Sequence, residues 1–370
     1  MSDLPLMERC PVTNESLVRP TPYLAVDLDI LDKNVKAMAT RARDEGVLLR
    51  PHVKTHKSLE IAARQLEAGA VGITVATVSE AEIFVGAGFA SVFIAYPLWV
   101  DSARGARLSS LSERCSLRIG VDSAEAAQAL ARHTSGRSDL EVLVEVDCGH
   151  HRTGVVPEDA GDLAVAAARA GLLVRGAFTY PGHSYSPGAA GRAVADEARA
   201  LSQAASSFQA AGLECEVLSG GSTPTAALSG AGPITEMRPG VYVFNDAQQL
   251  ELGTCSAAEV ALSAVATVVS RSPGRLVLDA GGKVLGADRP LWATGYGRLA
   301  DCLKARLSAL SEHHATVEWP ESSALPPLGA VLAVMPNHCC AAVNLADELV
   351  VVSGGEPAGS WQVAARGANN

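Results

Sequence analysis

The stretch Arg50-Pro-His-Val-Lys-Thr-His-Lys57 places Lys54 close to Arg50 and His52, directly after the apolar run Gly46-Val-Leu-Leu49. Alternation along an extended segment would set Leu48, Arg50, His52 and Lys54 on one side. If Leu48 faces a core, Lys54 stands at the carboxyl end of the strand. Positive neighbours disfavour an ammonium there, and such an amine is a candidate to condense with a carbonyl. Periodicity alone equally allows a solvated loop lysine paired with a carboxylate. Further along, Ser219-Gly-Gly-Ser-Thr-Pro-Thr225 offers backbone N–H groups and hydroxyls of the kind that cradle phosphate. A second glycine turn, "RPGVY" with Gly240 and Tyr242, follows. A carbonyl-binding lysine together with a phosphate cradle points to pyridoxal phosphate, with the lysine holding its aldehyde.

A third cluster is Pro336-Asn-His-Cys-Cys340. In a strand, His338 and Cys340 would share one face, and imidazole with thiolate makes half of a zinc site. Taken alone, the pair reads more simply as a core cysteine beside a turn histidine. If a metal does bind, the soft thiolate favours zinc over manganese or magnesium. Cys339 would point the other way, into a core.

These groups need elements to carry them. From residue 22, strand patterns such as "PYLAVDL", "VLLRPHVK", "SVFIAY", "EVLVEVD" and "ECEVLSGG" alternate with helical spacing that stops at glycine. Eight parallel strand–helix units predict an α/β fold, a β/α (TIM-type) barrel over residues 20–255. No Gly-x-Gly-x-x-Gly turn follows the first strand, which argues against a dinucleotide fold. Residues 256–370 are rich in β-type runs separated by Pro, Gly and Ser. They predict a second, mostly β C-terminal domain, with the N-terminal arm 1–19 a candidate to join it. In a TIM-type barrel, Lys54 and the 219–225 loop fall at carboxyl ends of strands, where such barrels place their chemistry.

The chain has 370 residues and a net charge of −10. That balance argues against nucleic acid or anionic membrane as a partner, since both need basic surface. No apolar run is long enough to span a bilayer, and "MSDLPLMERCPV" lacks the regions of a signal peptide. The scattered cysteines show no disulfide framework, so the expectation is a cytoplasmic protein with reduced thiols.

In order along the chain, "RPHVKTHK", "VEVDCGHHRTGV", "GGSTPT", "RPGVYVF", "LDAGGK" and "PNHCCAAVNL" resemble the D-threonine aldolase and D-serine dehydratase family. That family consists of pyridoxal-phosphate enzymes with the alanine racemase barrel, and the likeness runs from about residue 20 to "WQVAARG" at 361–367. The resemblance implies that Lys54 binds the cofactor covalently, that Arg152 lies near its phenolic oxygen and Tyr180 near its ring. It also implies that Gly220, Gly221, Ser222, Thr223 and Tyr242 hold its phosphate, with His52 and Gly240 as further neighbours. His338 and Cys340 become the metal pair and His314 a candidate catalytic histidine; His183 is a further catalytic candidate because, like His150 and His151, it follows a barrel strand. A homodimer acting on a small D-3-hydroxy amino acid is implied. The His-x-Cys pair and "GGSTPT" lean towards dehydration, whereas "LDAGGK" and "WQVAARG" lean towards aldol cleavage. A racemase, or a non-catalytic pyridoxal-phosphate carrier, fits less well because neither has use for a metal pair.

Overall fold

The computed structural model describes residues 19–134 and 140–370. The chain forms two compact units. Among the described residues, one comprises residues 19–36 together with Thr55–Glu60 and Val241–Arg366, and the other comprises Ala37–Lys54, Ile61–Gly240 and Gly367–Asn370. Of the N-terminal arm, residues 1–18 lie outside the described residues.

The second unit is the barrel. Its eight parallel strands are Leu48–Leu49, Ile73–Val75, Ser91–Pro97, Ser116–Val121, Glu141–Glu145, Leu173–Phe178, Val217–Gly220 and Glu236–Met237. Neighbours pair in chain order, and Glu236–Met237 lies between Val217–Gly220 and Leu48–Leu49. The ring closes where the Val71 N–H donates to Leu49 O at 2.9 Å and the Thr74 N–H to Pro51 O at 2.8 Å. Helices fill the crossovers and start on side-chain caps. Thr77, Asp101 and Ser123 each accept the backbone N–H three residues on.

The other unit holds a nine-stranded, mostly antiparallel sheet. One expectation fails here. Tyr23–Asp27, which reads as the first barrel strand, pairs antiparallel with Leu262–Ser272 and parallel with Glu348–Ser353. Leu24, Ala25 and Val26 are buried on both faces of this sheet, and a continuous apolar run of that kind imitates a strand of a covered parallel sheet. The barrel strand that replaces it, Glu236–Met237, is too short to show a pattern.

Apolar and ionic packing share the barrel interior. Phe93 and Phe178 meet edge to face at 5.1 Å with Leu143 beside them, and the Arg238 guanidinium lies over both rings. Glu236 accepts from Arg50 Nε at 2.7 Å and from Ser219 Oγ at 2.7 Å, and it lies 3.5 Å from Arg118 Nη1. Burial works against its charge, but the Arg50 and Arg118 guanidiniums outweigh burial and hold its carboxyl below the usual glutamate range. A carboxyl depressed in this way stabilises the fold above its ordinary range, and the contribution is lost as pH falls through the depressed value. Glu236→Ala would leave the buried Arg50 and the half-buried Arg118 guanidiniums without their shared anion. A loss of about 3–5 kcal/mol is expected in urea unfolding at neutral pH. A variant within 1 kcal/mol of the parent would show that the network contributes little.

Candidate active site

Lys54 lies in a single 3-10 turn, Val53–Thr55, and not on an extended strand. The strand stops at Leu49, and Pro51 has no N–H with which to continue the ladder. Leu48 is 53% exposed while Arg50 is buried, so strict alternation does not deliver the lysine. Nor does Arg50 crowd it, because Arg50 is committed to Glu236. Lys54 Nζ instead stands 5.9 Å from the centroid of the Tyr180 ring, and Arg152 Cζ stands 5.1 Å from the same ring. His150 meets that ring edge-on at 5.4 Å. The structure therefore gathers the predicted Lys54, Arg152 and Tyr180 on one aromatic platform and adds His150.

Local geometry explains the gathering. Asp147 Oδ1 accepts the N–H groups of Gly149 and His151, and its Oδ2 hydrogen-bonds His151 Nδ1 at 2.6 Å. This folds the loop after Glu141–Glu145 and presents His150 and Arg152 to Tyr180, which follows strand Leu173–Phe178 directly. His52 lies on the closing seam and bridges to Thr74. Burial, then the positive charges of Lys54 and Arg238, push its pKa well below the ordinary histidine value. It is thus a neutral imidazole, and its buried Nδ1 has no hydrogen-bond partner among the described residues.

The glycine turn follows strand Val217–Gly220. Gly221 has φ +81°, open to glycine at little cost, and a Cβ there would stand 3.3 Å from Met237 Cβ. The Gly221 N–H donates to Glu197 Oε1 at 2.7 Å and the Ser222 N–H to Thr225 Oγ1 at 2.8 Å. Thr223 lies half-buried beside them. Gly240 ends the barrel unit's stretch of chain, and Tyr242, 4% exposed, lies in the turn Val241–Val243 of the other unit.

Of the two candidate histidines, His183 is half-buried in a cleft of 680 Å³ lined also by Asp147, His151, Arg192 and Asp196. Its Nε2 is 3.4 Å from Asp196 Oδ2, without hydrogen-bond geometry. His314 is exposed on the hairpin turn between Arg306–Leu310 and Ala315–Glu318.

The cysteine pair departs from a strand as well. The strand ends at Pro336, His338 is the N-cap of a one-turn helix, and Cys340 lies within its first turn. The two side chains still meet, because His338 hydrogen-bonds Cys340. Asp288 binds His338 Nδ1, leaving the other ring nitrogen to a ligand, and Cys340 Sγ contacts Thr55 Oγ1 at 3.4 Å. Cys339 is fully buried, as expected, and its N–H donates to Asp246 Oδ2 at 3.1 Å. Burial pushes Asp246 up to about 6. The hydrogen bond from Cys339 and the charge of His338 outweigh burial and hold the Cys340 thiol well below its ordinary value. Burial opposes the His338 charge, yet Cys340 and Asp288 hold its pKa well above the ordinary one.

Both sets of residues fit the groups implied by the sequence. The lysine, the arginine and the left-handed glycine turn suit a phosphorylated aldehyde. The thiolate and the carboxylate-oriented imidazole suit a divalent cation. Among the described residues, no cluster of three or more His, Cys, Asp or Glu side chains makes a full cage. Sequence reasoning missed Thr55, Asp246, Asp288 and Glu197, and it ranked His150 behind His183. His150 was visible in "GHHR", whereas the others are joined to the site only through the fold.

Comparison with known proteins decides the family. The chain matches the family model "Alanine racemase, N-terminal domain" over residues 26–248 and "Putative serine dehydratase domain" over residues 261–352. It is 38% identical over 354 residues to D-threo-3-hydroxyaspartate dehydratase of Delftia sp. (strain HT23), covering 88% of this chain and 92% of that protein. The chain belongs to the D-threonine aldolase and D-serine dehydratase family. It is also 34% identical over 359 residues to D-threonine aldolase of Arthrobacter sp, covering 94% and 93% of the two proteins. The crystal structure of D-threonine aldolase from Filomicrobium marinum superposes with a TM-score of 0.86 at 33% identity, over 95% of this chain and 97% of that one. The expected fold, a TIM-type barrel of the alanine racemase kind with a mostly β partner, therefore holds.

The His338–Cys340 donor set makes a definite claim about metal content. Elemental analysis of purified protein is expected to find a divalent metal. Cys340→Ala is expected to weaken its binding at least ~10-fold in a competitive chelator titration. Unchanged metal affinity in that variant would remove the pair as ligands.

Proposed function

We propose that this chain is a pyridoxal-phosphate- and metal-dependent lyase acting on D-3-hydroxy amino acids by dehydration. The products would be a 2-oxo acid and ammonia, with D-serine or a D-3-hydroxyaspartate-like compound as substrate. The observation that carries the reading is the thiol of Cys340 beside an imidazole that Asp288 orients. The relatives named as dehydratase and aldolase support the reaction class.

On this reading Lys54 would hold the cofactor aldehyde, Arg152 would serve its phenolic oxygen, Tyr180 and His150 would line the space for its ring, and the 220–223 turn with Tyr242 would take the phosphate. Pyridoxal phosphate, when bound, supplies an electron sink for charge developing at the substrate Cα. The Lys54 amine removes the proton from Cα. His338 and Cys340 would hold the cation, which when bound would supply Lewis acidity to the departing 3-hydroxyl. Zinc is the ion a thiolate favours, with manganese or magnesium the harder alternatives. Loss of the Cα proton and of hydroxide from the third carbon leaves an enamine, which water converts to the 2-oxo acid and ammonia. His52 adds no charge near the lysine because it is neutral.

Retro-aldol cleavage to glycine and an aldehyde remains the alternative. It needs a base for the 3-hydroxyl proton, and His183, with Asp196 at 3.4 Å, or His314 would serve. The "LDAGGK" stretch no longer argues for it. Asp279 accepts the Thr267 N–H and the Thr21 hydroxyl, and a Cβ on Gly281 would stand 2.4 Å from His314 N. The motif thus secures the sheet. We also read the protein as a cytoplasmic homodimer. The seven described cysteines, all free thiols, suit a reducing compartment, and no described helix is long and apolar enough to cross a membrane. The exposed Tyr96 and Trp99 suit a covered surface. A 38.1 kDa species in light scattering would remove the dimer.

Two measurements test the reading. Borohydride reduction of the yellow protein is expected to fix the cofactor on Lys54. Lys57 donates to Asn344 Oδ1 at 2.8 Å and Lys283 pairs with Glu312 at 3.1 Å, and an adduct on either would overturn the lysine assignment. With D-threonine as substrate, 2-oxobutanoate is expected to exceed glycine. A product mixture dominated by glycine and acetaldehyde would establish the aldolase alternative instead.

A further inference from the structure

The helix Ala190–Ala210 carries a buried carboxyl that the chemistry above does not use. Glu197 is fully buried, and its Oε1 accepts the Gly221 N–H at 2.7 Å. A Cβ on Gly220 would stand 2.4 Å from that same oxygen. Gly220 does not have a left-handed φ, so its backbone would accept any residue, and the obstacle is Glu197 itself. The next N–H in the turn, that of Ser222, is held by Thr225 Oγ1, and Ser222 Oγ lies 3.0 Å from both Ser184 Oγ and Thr225 Oγ1. The turn is therefore braced from within by side chains of its own unit.

We propose that Glu197 is the positioning residue of the phosphate turn. Its carboxyl holds the Gly221 N–H, sets the backbone of residues 220–223 in the shape that receives a phosphate, and requires glycine at position 220. The proposal rests on the pyridoxal-phosphate reading. Burial pushes the Glu197 pKa up to about 7, against the pull of the Gly221 N–H and Arg238. A carboxyl raised that far is protonated in a substantial share of molecules at neutral pH, and the protonated acid accepts the N–H through its carbonyl oxygen as an amide would. Glutamine should therefore replace it.

The experiment strips the full-length protein of cofactor and titrates pyridoxal phosphate by absorbance, with a melting curve for each variant. Glu197→Gln is expected to bind within about 3-fold of the parent, and Glu197→Ala to bind about 10-fold or more weakly, because it leaves a buried N–H unpaired. Gly220→Ala alone is expected to weaken binding likewise, and combining it with Glu197→Ala to cost less than the two losses multiplied. A Glu197→Ala protein that binds as tightly as the parent overturns the proposal while leaving the cofactor reading intact. Equal weakening in the Gln and Ala variants, tracking their melting temperatures, overturns it as well, since the role would then be bulk stability. If Glu197→Ala does not fold, the Gln variant and Gly220→Ala decide. Parent-like affinity in Gly220→Ala would then overturn it. A parent protein that takes up no pyridoxal phosphate overturns the reading and the proposal together.

Discussion

The barrel depends on one carboxylate. Glu236 bonds Arg50 after the first barrel strand and Ser219 on the seventh, and it lies within ion-pair distance of Arg118 on the fourth. It sits itself on the eighth, which is only two residues long. So short a strand contributes few ladder bonds; the side-chain bonds to Arg50 and Ser219 reinforce its pairing with both neighbours, and Arg118 links it to the fourth strand, which backbone pairing leaves apart. A buried ion pair is a weak source of net stability. Its value here is geometric, since it fixes the seam from which the 51–54 segment emerges, and with it the lysine.

The same interior explains why the cations at the barrel mouth differ in character. Arg50 and Arg238 are consumed by Glu236, Ser219, Thr179 and the phenylalanine rings. His52 is held neutral. Lys54 and Arg152 are exposed and share the Tyr180 ring. The buried and the exposed cations thus differ in their partners, although Arg50, His52 and Lys54 crowd one short stretch of sequence.

What the sequence made legible follows the range of each interaction. Lys54 and the glycine turn were singled out by the composition of their local runs, and Arg152 only by the family resemblance of "VEVDCGHHRTGV". The reason given for Lys54, simple alternation, was nevertheless displaced by Pro51 and a 3-10 turn. His338 and Cys340 were found as neighbours, while the helix turn that joins them was not. Asp288 lies 50 residues before His338, and Thr55 lies 285 residues before Cys340. Spacing within a motif says nothing about such partners. Tyr23–Asp27 was misplaced for the opposite reason, because its pattern was strong but belonged equally to two kinds of sheet.

That strand has a consequence for how the molecule is made. It precedes every barrel strand in the chain, yet it ends up in the interior of its sheet, flanked by Leu262–Ser272 and Glu348–Ser353. Neither flank exists until most of the chain has been synthesised, whereas every strand of the barrel is complete by Met237. Vectorial synthesis therefore lets the barrel close while an apolar ribbon, Leu24-Ala-Val26, waits with both edges unsatisfied. Such an edge is open to mispairing with another nascent chain. The acidic Asp27 and Asp29 flank the ribbon's end, and the helix Leu28–Asp44 follows at once.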